Sequence, residues 1–132
     1  MACPYFYPTR RLLAWMEAPL LPLGDPYEGV CRAVAGQDWQ PGEVAVRNWC
    51  NMGYARGECP RFPQNGSPDA IRFAVGRADG DGVEIHYTLE SHHAPAGDGV
   101  VTYSGGSIED CPDPLLRRQA EAYAASYLRR KP

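Results

Sequence analysis

Two runs of alternating apolar and polar residues, joined by a glycine-rich turn, constrain the fold of this chain more than any other feature. The first run is IRFAV (residues 71–75) and the second is VEIHYTLE (residues 83–90). In an extended strand, such alternation gathers the apolar side chains on one face. Between the runs, GRADGDG (residues 76–82) contains Asp-Gly pairs, whose positive φ angles suit a tight turn. The pattern predicts an antiparallel hairpin with one apolar face.

A third strand and a terminal helix are expected to complete the C-terminal half. The strand is GVVTYSG (residues 99–105), which follows the predicted loop SHHAPAGDG (residues 91–99). Further on, Asp113 and Pro114 are the residue types favoured at the N-cap and the first position of a helix. Apolar residues then recur at helical spacing. The helix is therefore expected to cover the apolar face of the sheet.

The N-terminal half of the chain shows little periodicity. Residues 1–68 carry nine of the thirteen prolines and four of the five cysteines, a composition that predicts turns and irregular segments. One short helix is expected in GEVAVRNWCNMGYA (residues 42–55), with Cys50 near its C-terminal end. We interpret PLGDPYEGVC (residues 22–31) as successive turns and RRLLAWM (residues 10–16) as a short turn or strand.

The predicted architecture is a single α+β domain of 132 residues, a length typical of one domain. Its parts are an irregular, Pro/Gly-rich, cysteine-bearing half (residues 1–68), a three-stranded antiparallel meander (residues 69–104) and a terminal helix packed on the meander (residues 108–132). A chain of this size can bury a real core, but the irregular half needs something to organise it.

Charge and targeting features limit the possible partners and compartments. The net charge of −3 argues against a general nucleic-acid binder, which normally carries an excess of Lys and Arg. The N-terminus lacks the basic and apolar segments of a signal peptide. The most apolar stretch, residues 12–23, is too short to span a bilayer. We therefore expect a cytoplasmic protein without membrane insertion, in which five cysteines favour metal or redox chemistry over disulfides.

Four cysteines of the N-terminal half, Cys3, Cys31, Cys50 and Cys59, are the candidate ligands of a metal centre. They are separated by 27, 18 and 8 residues, and no Cys-x-x-Cys pair occurs, so the spacing matches neither a zinc finger nor a ferredoxin. A metal would still organise this half, because its binding free energy becomes folding free energy. Cys3 and Cys59 are each followed by proline, as is the last ligand in the bacterial ferredoxin run.

Aromatic and basic residues accompany these cysteines. Aromatic residues follow Cys3 and Cys59 by two or three positions, and with Trp49 and Tyr54 they are candidates for an apolar wall that shields a cluster from water. Four arginines near the cysteines in sequence offer positive charge that would offset several thiolates. These arginines are Arg32, Arg47, Arg56 and Arg61.

The sequence leaves the kind of metal open. Four thiolates suit either tetrahedral zinc or an iron–sulfur cluster. Dispersed ligands favour a larger object such as a [4Fe-4S] cluster, whereas zinc usually takes close pairs, and a buried cysteine can also be a plain small hydrophobic residue. Cys111 has acidic neighbours, so we interpret it as structural, with exchange for one of the four ligands as the alternative. The favoured function is an electron-transfer or redox-sensing accessory module for a protein partner, and the alternative is a zinc-stabilised protein-interaction module without catalytic activity.

A group of histidines and acids offers a third possibility. On the second predicted strand, His86 and Glu90 fall on one face, and His92 would extend that line if the strand continued. Such a set could bind a divalent ion in a small metal-dependent enzyme, or it could be the solvated face of the sheet. The candidate residues are His86, Glu90, His92, His93 and Asp98.

Two segments of the chain carry a resemblance. The sequence opens with Cys-Pro-Tyr-Phe (residues 3–6) and continues with GYARGECPRFP (residues 53–63). In these motifs it resembles a group of small uncharacterised bacterial cysteine-containing proteins, and the likeness extends to RFAVGRADGDG (residues 72–82) and RRQAEAYAASYL (residues 117–128). The resemblance implies a shared cysteine pattern and no catalytic residue.

Overall fold

The chain forms two antiparallel sheets and a C-terminal helix in the computed structural model, which describes residues 2–12, 21–34, 36–64, 68–80 and 82–130. This arrangement confirms the α+β class. Strands β1 and β2 form one sheet, and β3 to β6 form the other in chain order. The elements are β1 (Phe6–Arg11), β2 (Tyr27–Cys31), α1 (Glu43–Ala45, continued by a π-helical turn Val46–Cys50), β3 (Ala70–Asp79), β4 (Gly82–Ser91), β5 (Ala94–Ser104), β6 (Ser107–Ile108) and α2 (Pro114–Arg130).

Strands β3 and β4 form the antiparallel hairpin that the alternating sequence predicted. Val75 pairs with Ile85, and the buried side chains of Ile71, Phe73, Val83 and Ile85 share one face. The sheet contains a fourth strand that the predicted three-stranded meander lacks, since Tyr103 of β5 pairs with Ile108 of β6. Two residues are too few to show a period of two, which explains why β6 leaves no pattern in the sequence.

The connection between β4 and β5 is much shorter than the predicted loop of residues 91–99. Ser91 pairs with Ala94, so the turn consists of His92 and His93, both with positive φ (53° and 62°). Non-glycine residues rarely adopt this conformation. It is supported from outside the turn, because the backbone N–H of His92 donates to a carboxylate oxygen of Asp69 at 2.9 Å. The prediction of a loop over residues 91–99 was wrong, since β5 already begins at Ala94. The hydrogen bond to Asp69, which is distant in the sequence, leaves no local pattern that could have indicated this turn.

The N-terminal half is more regular than predicted, because β1 and β2 pair along their length. Gly29 makes this pairing possible, since a Cβ there would overlap the carbonyl oxygen of Tyr7. The segment of residues 22–31 was interpreted as turns throughout, but its second half is strand β2. Arg10 and Arg11 end β1, whereas residues 13–16 of the predicted turn or strand lie outside the described residues.

Helix α2 packs against both sheets and forms the middle of the core. Its predicted N-cap is confirmed, because Asp113 accepts hydrogen bonds from the backbone N–H groups of Leu115 and Leu116 at 3.0 and 3.3 Å. Ala120 and Ala124 are fully buried. Helix α2 contacts β1 of the first sheet and strands β3 to β6 of the second. Within the described part of the chain, no helix has the length and apolar character needed to cross a membrane.

The last turn of α2 is held by a buried carboxylate. Asp25 accepts hydrogen bonds from Arg129 at 2.6 Å and from Arg130 at 2.8 Å. Burial alone would raise the pKa of Asp25, but hydrogen bonds from Arg130, Arg129 and Ser126 outweigh it and lower this pKa to about 2. The ion pairs therefore attach the helix C-terminus to the turn that precedes β2.

We expect Asp25→Asn to lower the free energy of unfolding by about 1–2 kcal/mol at pH 7, because the substitution removes the negative charge that Arg129 and Arg130 stabilise in the folded state. A depressed pKa contributes stability above the unfolded value of 3.8, and this contribution disappears as the pH falls towards 2. Urea unfolding should thus show a larger difference in unfolding free energy between the wild type and Asp25→Asn at pH 7 than at pH 3. The matched control is Asp38→Asn, which removes an exposed ion pair with Arg32 and should change stability by under about 0.5 kcal/mol. Equal losses of unfolding free energy in Asp25→Asn and Asp38→Asn would contradict a special role for the Asp25 ion pairs.

Candidate metal centre

The four N-terminal cysteines line a single cavity in the N-terminal half of the chain. Cys3, Cys31, Cys50 and Cys59 come from four separate segments of the chain, and each contributes to the wall of this cavity, here called the cysteine cavity. All five cysteines of the chain are free thiols in the structure. The grouping of these four out of five is the main observation at this site.

Cys3 is positioned by backbone and side-chain contacts from three directions. Its neighbour Ala2 exchanges backbone hydrogen bonds with Ile71 of β3, at 2.8 and 2.9 Å. The N–H of Cys3 donates to the carbonyl oxygen of Cys50 at 3.2 Å. From α2, the fully buried side-chain amide of Gln119 donates to the carbonyl oxygens of Cys3 and Phe6, both at 2.7 Å. The first cysteine is thus fixed to the sheet, to the second helix and to another cysteine.

Cys31 ends strand β2 and lies between two partners. It pairs with Phe6 of β1 on one side. On the other side it exchanges two backbone hydrogen bonds with Trp39, at 2.7 and 3.0 Å. The indole of Trp39 also lines the cysteine cavity. The chain from Cys31 to Trp39 therefore folds back to add one aromatic wall to the site.

Cys50 lies at the end of the π-helical turn that continues α1, which agrees with the predicted short helix. Glycine ends this segment, since Gly53 has a φ of 77° and its N–H donates to the carbonyl oxygen of Trp49 at 2.8 Å. The next residue, Asn51, is fully buried. Its side chain accepts a hydrogen bond from Tyr27 N–H at 3.0 Å and donates to the carbonyl oxygens of Tyr27 and Val46 at 2.9 and 3.0 Å. Asn51 thereby attaches the Cys50 turn to β2.

Cys59 belongs to a compact turn after α1. Its N–H donates to the carbonyl oxygen of Ala55 at 2.8 Å, and its own carbonyl oxygen accepts from Phe62 N–H at 3.0 Å. Both Ala55 and Phe62 are buried and line the cysteine cavity. This local ladder explains why the ring of Phe62, three residues after Cys59, turns back towards the thiols.

Aromatic side chains form much of the remaining wall. The predicted aromatic residues after the two Cys-Pro pairs do line the cavity, and so does Trp49. Tyr54 does not, because its hydroxyl donates to Glu90 at 2.8 Å and its ring stacks on His93. Trp39 is an addition that sequence spacing did not indicate. The aromatic lining residues are Tyr5, Phe6, Trp39, Trp49 and Phe62.

Of the four arginines near the cysteines in sequence, Arg61 is the one that lines the cavity. Arg32 is directed elsewhere, since it pairs with Asp38 at 3.1 Å and its guanidinium lies 3.8 Å from the centre of the Tyr7 ring. Arg56 pairs with Asp69 at 2.6 Å. The Nε of Arg61 is buried and has no hydrogen-bond partner among the described residues. Arg61 therefore combines a place in the cavity wall with a buried N–H donor that has no partner in the described part of the chain.

Two thiols of the cavity, those of Cys3 and Cys50, have a raised pKa and therefore favour the protonated form. Burial raises the pKa of Cys3 to about 12, and the neighbouring Cys31 and Cys59 add to the rise. Burial also raises the pKa of Cys50 well above its usual value, with further contributions from Cys3, Cys31 and Cys59. These couplings exist because the four sulfurs are close in space. A metal that binds here has to displace protons, so its affinity increases with pH.

The thiols surround the cavity without converging on one point. Among the described residues, no three His, Cys, Asp or Glu side chains are grouped as a single metal ion requires. The free space among the lining side chains is about 20 Å³, room for about one or two water molecules. A larger group needs more space than this, so the lining side chains would have to move apart to admit one.

Cys111 lies apart from the other four cysteines. It is buried, and its thiol is 3.6 Å from the carbonyl oxygen of Asp113 at the start of α2. It lines a second cavity of about 490 Å³ between α2 and the four-stranded sheet. Tyr5 lines both cavities and separates them. This location agrees with the structural interpretation of Cys111.

The structure divides the predicted histidine and acid group into separate sets. His86 is exposed on β4 and pairs with Glu84 at 2.9 Å. Glu90 is buried and accepts a hydrogen bond from Tyr54. His92 and His93 form the turn after β4 instead of extending its line, and Asp98 lies within β5 opposite Thr88. His86 and Glu90 thus share one face of β4 as predicted, but His92 and His93 do not extend that line, and the described residues form no group that could hold a metal ion.

Comparison with known proteins identifies no relative: no protein-family model, no curated protein and no solved structure matches this chain.

Proposed function

We propose that the protein binds an iron–sulfur cluster, [4Fe-4S] in form, through Cys3, Cys31, Cys50 and Cys59, and serves a protein partner in electron transfer or redox sensing. The observation that carries this proposal is the shared cavity of four free thiols drawn from four segments of the chain. Cys₄ is the ligand set of such clusters. A cluster held by thiolates suits a reducing compartment, so the same proposal places the protein in the cytoplasm.

The origin of the four thiols in four separate segments supports a cluster more than a single zinc ion, which usually takes close pairs of cysteines. A tetrahedral zinc keeps each sulfur about 2.3 Å from the metal, so four thiols must converge on one point. In a cluster of several irons, each thiolate binds its own iron, and the ligands remain further apart. The thiols of the cysteine cavity surround a common space but form no group suited to one ion within the described residues.

The surroundings of the thiols also support this assignment. Aromatic rings and alanines make up most of the remaining wall, and an apolar shell that limits water access helps to set the potential of a cluster. Arg61 adds positive charge where four thiolates would otherwise repel one another. When bound, a cluster supplies one-electron chemistry, and the residues of the chain hold it and restrict its contact with solvent.

Exposed apolar residues close to the ligands in sequence support a protein partner. Trp39 and Met52 are large apolar side chains that are 37% and 43% exposed, although Trp39 also lines the cysteine cavity. Val34 and Val44 are exposed as well, on the segments that follow Cys31 and precede Cys50. Apolar surface of this kind often marks a protein-interaction site. A partner bound there would lie close to the thiols.

Iron and sulfide analysis of protein purified without oxygen tests the proposal. We expect about four iron and four acid-labile sulfide per chain and a broad absorption near about 400 nm that fades on reduction. A colourless protein with one zinc per chain would contradict the cluster and favour the zinc-stabilised interaction module. Protein that contains neither metal nor sulfide after anaerobic reconstitution with iron and sulfide would contradict both.

A further inference from the structure

We propose that Arg61 donates a hydrogen bond from its Nε–H to a sulfur atom of the bound cluster and thereby raises the reduction potential of the cluster. This inference depends on the proposed function and assigns a specific task to one residue of the site. Arg61 lies two residues after Cys59 and is the cationic side chain that lines the cysteine cavity.

The unused Nε–H of Arg61 is the first observation behind this proposal. The atom is buried and has no hydrogen-bond partner in the described part of the chain. Buried donors are nearly always satisfied, because an unpaired one costs about 1–3 kcal/mol. Four cysteines line the same cavity as Arg61. A bound cluster would bring sulfur atoms, which carry negative charge, to this donor.

The position of the guanidinium group is the second observation. Its central carbon lies 4.4 Å from the centre of the Trp39 ring, and Nη2 is 3.4 Å from the side-chain oxygen of Gln37. These contacts hold the outer end of the side chain against Trp39, another lining residue. The guanidinium group therefore lies against Trp39, whose backbone pairs with that of Cys31.

The expected effect follows from charge. Reduction adds an electron to the cluster, and a positive N–H donor stabilises the more negative, reduced form. Hydrogen bonds to the sulfurs are among the features by which proteins set cluster potentials. Loss of the donor should therefore lower the reduction potential, and it should also loosen the cluster.

Arg61→Met and Arg32→Met form a matched pair of variants for the test. Each removes one arginine next to a cysteine, but Arg32 pairs with Asp38 and does not line the cavity. In an anaerobic redox titration followed by absorbance, Arg61→Met should have a lower midpoint potential than the wild type, and Arg32→Met an unchanged one. Iron loss to a chelator should be about tenfold faster in Arg61→Met, the factor equivalent to about 1.4 kcal/mol.

The possible outcomes separate this inference from the proposed function. Wild-type protein that lacks iron and sulfide overturns the proposed function itself. If the cluster is present but Arg61→Met and Arg32→Met have the same potential and the same rate of iron loss, the hydrogen bond is overturned and the cluster remains. If circular dichroism shows that Arg61→Met does not fold, Arg61→Gln takes its place, because it keeps a polar end but lacks both the charge and Nε. A wild-type potential in Arg61→Gln would equally overturn the hydrogen bond.

Discussion

Replacement of Cys50 by alanine is expected to remove nearly all bound iron and sulfide. Cys50 lies close to all three other cysteines, since Cys3, Cys31 and Cys59 each contribute to the rise of its pKa. A cluster that loses this ligand exposes one iron to solvent or to a weaker ligand, and chelators then remove it. Iron and sulfide should fall below about a tenth of the wild-type content, as expected for a lost ligand whose absence costs at least 1.4 kcal/mol. Metal analysis after anaerobic purification measures this effect.

Cys111→Ala is the control for the ligand assignment. This cysteine is also buried, so its replacement creates a similar small cavity, but it lies at the second cavity beside α2. We expect the Cys111→Ala protein to keep its full iron and sulfide content. If Cys111→Ala loses the cluster while Cys50→Ala keeps it, the four ligands have been assigned incorrectly. Circular dichroism of both variants distinguishes loss of the cluster from loss of the fold.

Asn51→Ala is expected to have the largest effect on stability. The Asn51 side chain forms three buried hydrogen bonds, of which two involve the backbone of Tyr27 and one the carbonyl of Val46. Its removal leaves these buried backbone groups without their partner, at about 1–3 kcal/mol for each group. The free energy of unfolding should decrease by about 3 kcal/mol or more. Urea unfolding of the apoprotein measures this loss without a contribution from bound metal.

The neighbouring Asn48 supplies the matched control. It lies in the same π-helical turn but is exposed, so Asn48→Ala should change stability by no more than about 0.5 kcal/mol. A loss in Asn48→Ala as large as that in Asn51→Ala would show that the turn itself, and not the buried amide, determines the stability of this region. The comparison thus tests whether Asn51 attaches the Cys50 turn to β2.

The parts of the fold that the sequence predicted are those with local patterns. The alternation in β3 and β4 and the Asp113 cap of α2 each follow from residues that are close in the chain. The grouping of Cys3 with Cys31, Cys50 and Cys59 could be suspected because these cysteines share one irregular half. Local residue types were sufficient for these features, since local interactions produce them.

The parts that the sequence did not predict depend on contacts between distant residues. The turn at His92 and His93 needs Asp69, and the pairing of β1 with β2 joins segments on either side of a connection of 15 residues, from 12 to 26. Asn51 and Gln119 are polar residues whose burial no periodic pattern reveals. Their roles become visible only when the carbonyl groups that they contact are known.

The hydrogen bonds between Gln119 and the Cys3 loop have a consequence for the order of assembly during synthesis. All four candidate ligands are translated by residue 59, but the side chain that fixes the carbonyl oxygens of Cys3 and Phe6 belongs to a helix that begins at residue 114. Until α2 has been translated, the Cys3 loop therefore lacks one of its supports. The proposed site would gain this support only after α2 has emerged from the ribosome and packed against the N-terminal half.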